Sequence, residues 1–308
     1  MSAYRSRGTA LLSALVIVAI ATTIAGALAV DTGLQIRRAE GAHARSTALA
    51  IAGGTEALAA QALAEQLKVP EESIHTGQRW AAPLGPLPLT AQSSVRAQLL
   101  DLQGRFNLNR LVDASGRANP EAIEAFERLL VALELEPQWA KQFADWIDST
   151  ANPGDRAINL PVTSTTELLA LTEFGTERFI RLAPHVAALP RDTSVNLCTA
   201  TGAVLDALAN ERQWRDEDEA LARARARGCF PTREIFRTTL GTAGRFESLN
   251  RAVGLAESSR HFRLVTRVRV GSIEHTLYSL LRVETSVGAT PRVRLLTRST
   301  HELSLIHI

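Results

Sequence analysis

Three oxygen-bearing side chains in the segment DSTANPGD are the best candidates for binding a metal ion. Asp148, Asn152 and Asp155 carry the carboxylate and amide oxygens that hard cations such as Ca²⁺ prefer, at a spacing that one loop can bring together. The letters Asn-Pro-Gly-Asp are equally typical of a tight turn without a ligand. Both interpretations stay open. No cofactor is expected to be required, and calcium is the one that the pattern suggests.

The two cysteines, Cys198 and Cys229, form the second candidate pair. They have no C-x-x-C spacing, which argues against a thiolate zinc site and against a thioredoxin-type pair. In an oxidising compartment a disulfide would close about 30 residues and contribute about 3–4 kcal/mol in the chain-entropy model. Two free buried thiols are the alternative. Neither cysteine has the histidine neighbour that a nucleophile needs.

The remaining reactive side chains give no catalytic pattern. The histidines are scattered without H-E-x-x-H spacing, and no G-x-S-x-G turn, phosphate loop or pair of catalytic carboxylates occurs. Arg263, Arg267 and Arg269 are predicted on one face of a strand, where a solvated face or the rim of a protein interface explains them better than phosphate binding. No catalytic residue is predicted, and the chain is not expected to be an enzyme.

Bulk composition excludes two further classes of protein. The 308 residues contain 34 Lys and Arg against 32 Asp and Glu, and a net charge of +2 gives no reason to expect nucleic-acid binding. With 45% hydrophobic residues the chain is not disordered throughout. Leu168–Leu182 and Val195–Leu208 each resemble a helix-hairpin-helix, but without a basic surround or a glycine-rich hairpin they are expected to be packing units.

The N-terminal part of the sequence predicts a helix that crosses a membrane. No charge occurs between Thr9 and Val30, and at about 1.5 Å per residue this run spans roughly 30 Å of hydrocarbon. Because Arg5 and Arg7 precede it, the positive-inside rule leaves a short cytoplasmic end and places the rest of the chain across the membrane. A secretory signal peptide cleaved after Ala29 is the alternative.

The helical pattern continues past the apolar run. No proline interrupts the sequence up to Lys68, which favours an anchor over a cleaved signal. Residues at three- and four-residue spacing predict the face that packs against a partner domain. This predicted face comprises Ala48, Ile51, Thr55, Leu58 and Ala62.

Beyond this helix, periodicity predicts strands on either side of a helical region. A linker is predicted at Pro83–Pro88, and strands at Ser94–Leu100, Phe262–Val270 and Leu277–Val283, the last two joined by a turn at Gly271. Helices are predicted from Asn119, from Pro137, from Ser164 to near Gly175, from Thr176, after Thr199 or Thr201, and in 216–227. Helices inserted between strands of one sheet indicate an α+β protein.

The start of the chain resembles a known processing site. Arg7-Gly8, followed by Thr9 and an apolar helix, is similar to the site in type IV pilins and in the pseudopilins of type II secretion. The resemblance implies that a prepilin peptidase cleaves after Gly8 and that Thr9 becomes the methylated N-terminus. The glutamate usual at the fifth mature position is replaced here by Ser13, which is typical of the K-type minor pseudopilins.

Three further segments resemble the K-type minor pseudopilins in the same order along the chain. They are DLQGRFNLNRLV (Asp101–Val112), DWID (Asp145–Asp148) and SVNLCTATGAVLDAL (Ser194–Leu208). The chain is therefore identified as a member of that family, which implies a long N-terminal transmembrane helix and a small antiparallel pilin-like sheet interrupted by a large helical domain. The implied division is a leader (1–8), a transmembrane segment (9–30), the rest of the helix (31–68), the first part of the pilin-like domain (69–111), the helical insert (112–255) and the C-terminal strands (256–302).

Residues 303–308, LSLIHI, read as the translation of a transposon end used in sequencing libraries, and are expected to be an artefact in place of the natural C-terminus.

The resemblance also implies a function. It is that of a minor pseudopilin at the tip of the type II secretion pseudopilus, which initiates or caps assembly and supports export of folded proteins across the outer membrane. Implied partners are the I-type and J-type minor pseudopilins, other pseudopilins and the prepilin peptidase, with no nucleic acid. The implied location is the bacterial inner membrane, crossed once, with the C-terminal domain in the periplasm.

Two alternatives and one departure from the family remain. A membrane-anchored periplasmic enzyme or binding protein would use the apolar helix only as an anchor. A DNA-uptake pilus component would need a basic surface facing DNA. Similar proteins bind calcium in the loop after DWID, but that loop is longer and carries an acidic, tyrosine-bearing stretch that is missing here.

Overall fold

The computed structural model describes residues 5–68, 73–148, 160–215, 218–285 and 291–300. Its α-helices are α1 (Arg5–Gln66), α2 (Pro120–Ala132), α3 (Gln138–Ile147), α4 (Gly175–Leu182), α5 (Gly202–Ala209), α6 (Asp218–Arg225), α7 (Arg233–Thr239) and α8 (Ala243–Val253). Short 3₁₀ helices lie at Arg79–Ala81, Leu108–Leu111, Thr165–Ala170 and Ala183–His185. The strands are β1 (Leu84–Thr90), β2 (Ser93–Asp101), β3 (Phe106–Asn107), β4 (Val186–Ala187), β5 (Val195–Asn196), β6 (Leu255–Ala256), β7 (His261–Val270), β8 (Ile273–Glu284) and β9 (Arg292–Ser299).

The predicted long N-terminal helix is confirmed as α1. Its second half packs on the sheet through small and apolar side chains. The buried hydrophobic residues of this face are Ala44, Ala48, Ala52 and Leu63. The predicted face was wrong at Leu58, which is 65% exposed, and at Ala62, which is also exposed. A helix of 3.6 residues per turn brings Thr55, Ala59 and Leu63 toward the sheet instead.

The main sheet is antiparallel with strand order β1-β2-β7-β8-β9. Strand β2 pairs with β7 although 159 residues separate Asp101 from His261 in the chain, because the helical region leaves at the end of β2 and returns at the start of β7. The turn between β7 and β8 lies at Gly271-Ser272, as predicted, and Gly271 has the positive φ of +59° that favours glycine.

The sheet face toward α1 carries the apolar half of each alternating strand. Near the middle of α1, Ala48 and Ala52 contact Val95, Val268 and Leu277. Toward its C-terminal end, a second cluster packs together. That cluster includes Leu63, Trp80, Leu99, Phe262, Leu264 and Leu281. The strands therefore run alongside α1, and the Asp101 end of β2 lies at the end of the sheet farthest from the apolar run.

Two sequence predictions about local structure were wrong. Pro83–Pro88 is not a linker, since Leu84–Thr90 forms the edge strand β1; at an edge, prolines remove no hydrogen bond that the sheet needs. The helix predicted from Ser164 to near Gly175 is a 3₁₀ helix at Thr165–Ala170, which does have the predicted capping box of Ser164 and Glu167.

The helical region between β2 and β7 has its own large hydrophobic core. Asn119 caps α2 as predicted, with its side-chain oxygen accepting from the backbone N–H of Ala122, and Phe126 is fully buried. Trp139 of α3 packs edge-on against Phe174 at a ring distance of 5.3 Å. The predicted domain boundaries stay predictions.

Candidate functional site

The first candidate site is the N-terminal half of α1. The helix contains an 18-residue window with a mean hydropathy of 2.4, and none of that window is buried. Length and composition suit a membrane span, although a signal sequence passes the same test. Ser13 is exposed within this run. Gly8 and Thr9 lie in α1, and cleavage between them stays a prediction.

A buried carboxylate joins α1 to the last strands of the sheet. Glu56 accepts hydrogen bonds from Arg298 Nε at 3.0 Å and Nη2 at 2.8 Å, and from Ser279 Oγ at 2.8 Å. Burial by itself raises the pKa of Glu56, but these hydrogen bonds outweigh it and hold that pKa below its usual range. This contact was not predicted from the sequence. The one local indication of it is that Glu56 is the single acidic residue in the Ala- and Gly-rich stretch IAGGTEALA.

The second candidate site is the junction between the sheet and the helical region. At its centre is Asp101, the last residue of β2. Its Oδ2 accepts hydrogen bonds from Ser259 Oγ at 2.6 Å, Thr199 Oγ1 at 2.5 Å and Asn196 Nδ2 at 3.1 Å, and its Oδ1 accepts from the backbone N–H of Gln103. Burial raises the pKa of Asp101 despite the opposing effect of these hydrogen bonds. The carboxylate thus ties three separate chain segments together.

The residues after Asp101 continue this junction. Gln103 Oε1 accepts from the backbone N–H groups of Arg260 and His261, and its Nε2 donates to the carbonyl oxygen of Ser194. A Cβ on Gly104 would lie 2.5 Å from the carbonyl oxygen of Thr199. Only glycine allows the two backbones to approach this closely.

Two asparagines of the NLN sequence hold loops against the junction. Asn107 Oδ1 accepts from the N–H groups of Asn109 and Leu189, and its Nδ2 donates to the carbonyl of Pro190. Asn109 Nδ2 donates to the carbonyls of Val162 and Leu189, and its Oδ1 accepts from the N–H of Val162. Both side chains are buried with donors and acceptors paired, so they replace the backbone pairing that these loops lack.

The SVNLCTATGAVLDAL segment meets the DLQGRFNLNRLV segment here. Asn196 Nδ2 donates to the carbonyl of Ile74 and to Ser259 Oγ, each at 2.9 Å, while its Oδ1 accepts from the N–H of Cys198. In the structure Cys198 is disulfide-bonded to Cys229, with 4.7 Å between the Cα atoms. Arg225 braces the same region by donating to the carbonyls of Leu197 and Phe230.

The candidate cation ligands are only partly within the described residues. Asp148 Oδ2 accepts from the backbone N–H of Ala118 at 3.1 Å, whereas Asn152 and Asp155 lie outside the described residues. Within the described ranges, no group of three His, Cys, Asp or Glu side chains is arranged to hold a metal ion. The described residues therefore give no complete donor set, and calcium binding stays a prediction.

Two other sequence predictions are corrected by the geometry. Val195–Leu208 is not a pair of helices, because Val195–Asn196 is strand β5 and only α5 follows it. The three arginines of β7 do share one face, but Arg263 is buried, unlike Arg267 and Arg269, which are exposed. Alternation along a strand predicts the face, whereas burial depends on what covers that face.

Comparisons with known proteins find one family. Residues 104–191 match the family model described as type II secretion system (T2SS), protein K. Type II secretion system protein K of Pseudomonas aeruginosa is 30% identical over 94% of this chain and 92% of its own length. The protein K of Pectobacterium carotovorum subsp. carotovorum is 28% identical over 91% of this chain and 93% of its own length.

A solved structure has the same fold. A chain in the crystal structure of the GspK–GspI–GspJ complex from the type 2 secretion system of enterotoxigenic Escherichia coli superimposes with a TM-score of 0.68 at 24% identity. The match covers 86% of this chain and 99% of the solved one. The predicted α+β architecture with a long apolar N-terminal helix is thereby confirmed.

Proposed function

Because the chain belongs to the family of type II secretion system protein K, we propose that it is a minor pseudopilin that caps the tip of a pseudopilus. In this role it is anchored in the inner membrane by α1, with the sheet and helical region in the periplasm. It acts mechanically, in assembly and export of folded proteins, and not as an enzyme.

The observation that carries the proposal is the position of the helical region relative to α1. The exposed apolar run occupies one end of α1, and the contacts of Leu63 with Leu99 and Phe262 put the Asp101 junction at the opposite end of the sheet. The helical region leaves from that membrane-distal end. A subunit with this bulk above its sheet suits the top of a filament, where no further subunit has to stack on it.

Ser13 also suits a subunit at the top of the filament. In related filaments, a buried glutamate is thought to pair with the free N-terminal amine of a neighbouring subunit, since an unpaired charge in hydrocarbon is costly. A tip subunit has no neighbour above it to satisfy. A serine at the fifth mature position then leaves no charge unpaired in the membrane.

The proposed partners are the I-type and J-type minor pseudopilins of the same system. The solved relative of similar fold comes from a complex of GspK with GspI and GspJ, which supports this choice. We expect the three purified proteins to form one complex, measured by light scattering after size-exclusion chromatography. A chain that stays monomeric with both partners present would contradict the tip assignment.

Processing is tested by co-expression with a prepilin peptidase, followed by intact-mass measurement and N-terminal sequencing. The expected product begins at Thr9, and the Gly8→Ala variant is expected to stay uncleaved. An unprocessed wild-type chain, or a product that begins at Val30, would contradict the proposal. It would favour a membrane-anchored or secreted periplasmic enzyme or binding protein.

A further inference from the structure

The sheet face turned away from α1 carries unpaired positive charge. Arg96 of β2 lies directly opposite Arg267 of β7, and Arg269 is two residues further along β7. All three side chains are exposed, and none makes a hydrogen bond or ion pair with another of the described residues. These arginines therefore contribute no visible contact to the fold.

The direct pairing of Arg96 with Arg267 is unfavourable for the isolated chain. Side chains opposite each other on neighbouring antiparallel strands have Cβ atoms about 5 Å apart, and like charges there are destabilising. A bound anion would relieve this repulsion. The same face carries a second cross-strand pair, Arg282 opposite Arg294, about 20 Å further along the strands at 3.4 Å per residue.

A groove lies beside the first pair and is lined by residues of β1, β2, β7 and β8. We call it the arginine groove, and its volume is about 270 Å³. Its walls include Leu84, Arg96, Leu100, Val265, Arg267 and Tyr278. The lining therefore combines apolar and aromatic side chains with two arginines.

We propose that the arginine groove binds a segment of a partner protein in which an Asp or Glu side chain adjoins an apolar one. A carboxylate held between Arg96 and Arg267 accepts charge-assisted, bidentate hydrogen bonds from planar guanidinium groups. The neighbouring apolar side chain packs on Leu84 and Val265. This surface and its partner chemistry go beyond the tip assignment and do not depend on it.

Two observations favour a protein over lipid or nucleic acid as the anionic partner. Val95 and Val268, next to the arginine pair, contact Ala48, and Ala48 is about 27 Å along α1 from Val30 at 1.5 Å per residue. That distance exceeds the Debye length of about 8–10 Å at physiological salt, so lipid headgroups attract these arginines weakly. Second, Glu274 opposite Arg269 interrupts the continuous basic path that nucleic acid needs.

The edge of the sheet indicates how such a protein segment is held. Strand β1 is an edge strand and contains Pro86 and Pro88, which have no backbone N–H to donate. Strand addition to this edge is therefore disfavoured. A partner segment is held by side chains in the groove and not by backbone pairing.

The experiment uses the full-length chain in detergent and a short fluorescein-labelled peptide that alternates leucine with glutamate. Fluorescence anisotropy compares wild type with Arg96→Gln/Arg267→Gln and with Arg282→Gln/Arg294→Gln. The second variant is the control because it also removes one cross-strand arginine pair from the same sheet face, together with an exposed ion pair of Arg294 with Glu284 at 3.8 Å. Loss of the groove pair is expected to weaken binding at least about tenfold, and loss of the control pair less than about twofold.

Four outcomes would overturn the proposal. The first is that a peptide with glutamine in place of glutamate binds as tightly as the original peptide. The second and third are that both double variants lose the same amount of affinity, or that wild type does not bind at millimolar peptide. The fourth is that phosphatidylglycerol vesicles or a single-stranded oligonucleotide bind more tightly than the peptide through Arg96 and Arg267. Thermal unfolding keeps the comparison valid, since Arg96→Gln/Arg267→Gln is expected to be as stable as wild type or slightly more stable. If the double variant does not fold, each single variant is expected to show part of the same loss.

Discussion

Glu56 of α1 and Arg298 of β9 form a two-bond ion pair although 242 positions separate them in the chain. Ser279 of β8 donates to the same carboxylate. The pair joins the last described strand to the helix that carries the apolar N-terminal run. Among the described residues, it is the one ion pair that joins a buried carboxylate of α1 to the sheet.

Replacing Glu56 by Gln is expected to lower the free energy of unfolding by about 1–3 kcal/mol, because Arg298 and Ser279 lose a charged acceptor. The pKa of Glu56 is depressed in the folded state, so its contribution is present above the unfolded pKa of about 4.5 and disappears as pH falls through the folded value. Urea unfolding against pH measures this. Glu65→Gln, which removes an exposed pair with Lys68, is the control and is expected to change stability by less than about 0.5 kcal/mol.

Asp101→Asn is expected to destabilise the junction by about 2–4 kcal/mol, because asparagine has one acceptor oxygen in place of two. Either the donors of Ser259, Thr199 and Asn196 or the backbone N–H of Gln103 would then face its NH₂ group. Folding raises the pKa of Asp101. Its contribution to the free energy of unfolding is therefore largest below the unfolded pKa, and it decreases as the pH rises through the folded pKa. The penalty should therefore be larger at about pH 4 than at about pH 7. A penalty that grows with pH would contradict the role of burial.

His261 should make the wild type lose stability on mild acidification. Burial lowers the pKa of His261 to about 4. The positive charges of Arg282 and Arg260 act in the same direction, and the negative charge of Asp192 opposes them. The neutral ring therefore contributes fully above the unfolded pKa of about 6.5, and this contribution is lost as pH falls toward about 4. Compared with His261→Gln, wild type should show the steeper loss of melting temperature in this range, and parallel curves would exclude the effect.

Gly104→Ala is expected to destabilise the protein by at least about 2 kcal/mol, because the added Cβ lies 2.5 Å from a backbone oxygen of Thr199. Gly244→Ala in α8 is the matched control, since nothing lies within 4 Å of its added Cβ. In a helix this second change should be neutral or stabilising by up to about 1 kcal/mol. Equal effects in the two variants would mean that the close approach at Gly104 is unimportant.

Replacing Cys198 and Cys229 together by serine is expected to cost about 3–4 kcal/mol, because a cross-link over 31 positions restricts the unfolded chain. In thermal unfolding, addition of a reductant should cause most of the same loss of stability in the wild type and no loss in the variant. If reductant changes nothing in the wild type, the two thiols are free in solution.

Local features were predictable because neighbouring residues determine them. The uncharged run of Thr9–Val30, the cap of α2 at Asn119 and the turn at Gly271 depend on side chains, caps and φ angles within a few positions. The DLQGRFNLNRLV and SVNLCTATGAVLDAL segments also identified the family, although nothing in their spacing revealed that Asp101 and Asn196 meet at one hydrogen bond.

The tertiary structure decided the contacts between distant segments. Pro83–Pro88 became an edge strand because β2 was available to pair with it, and Leu58 turned to solvent because the sheet covers the other side of α1. Sequence alone identified Glu56, Arg298 and Arg96 only as charged residues, and Arg267 as one of three arginines on a predicted strand face. The registers of β2 with β7 and of β8 with β9 made the first two an ion pair and the last two an unpaired cationic surface, because strand pairing sets neighbours across the chain that no local pattern contains.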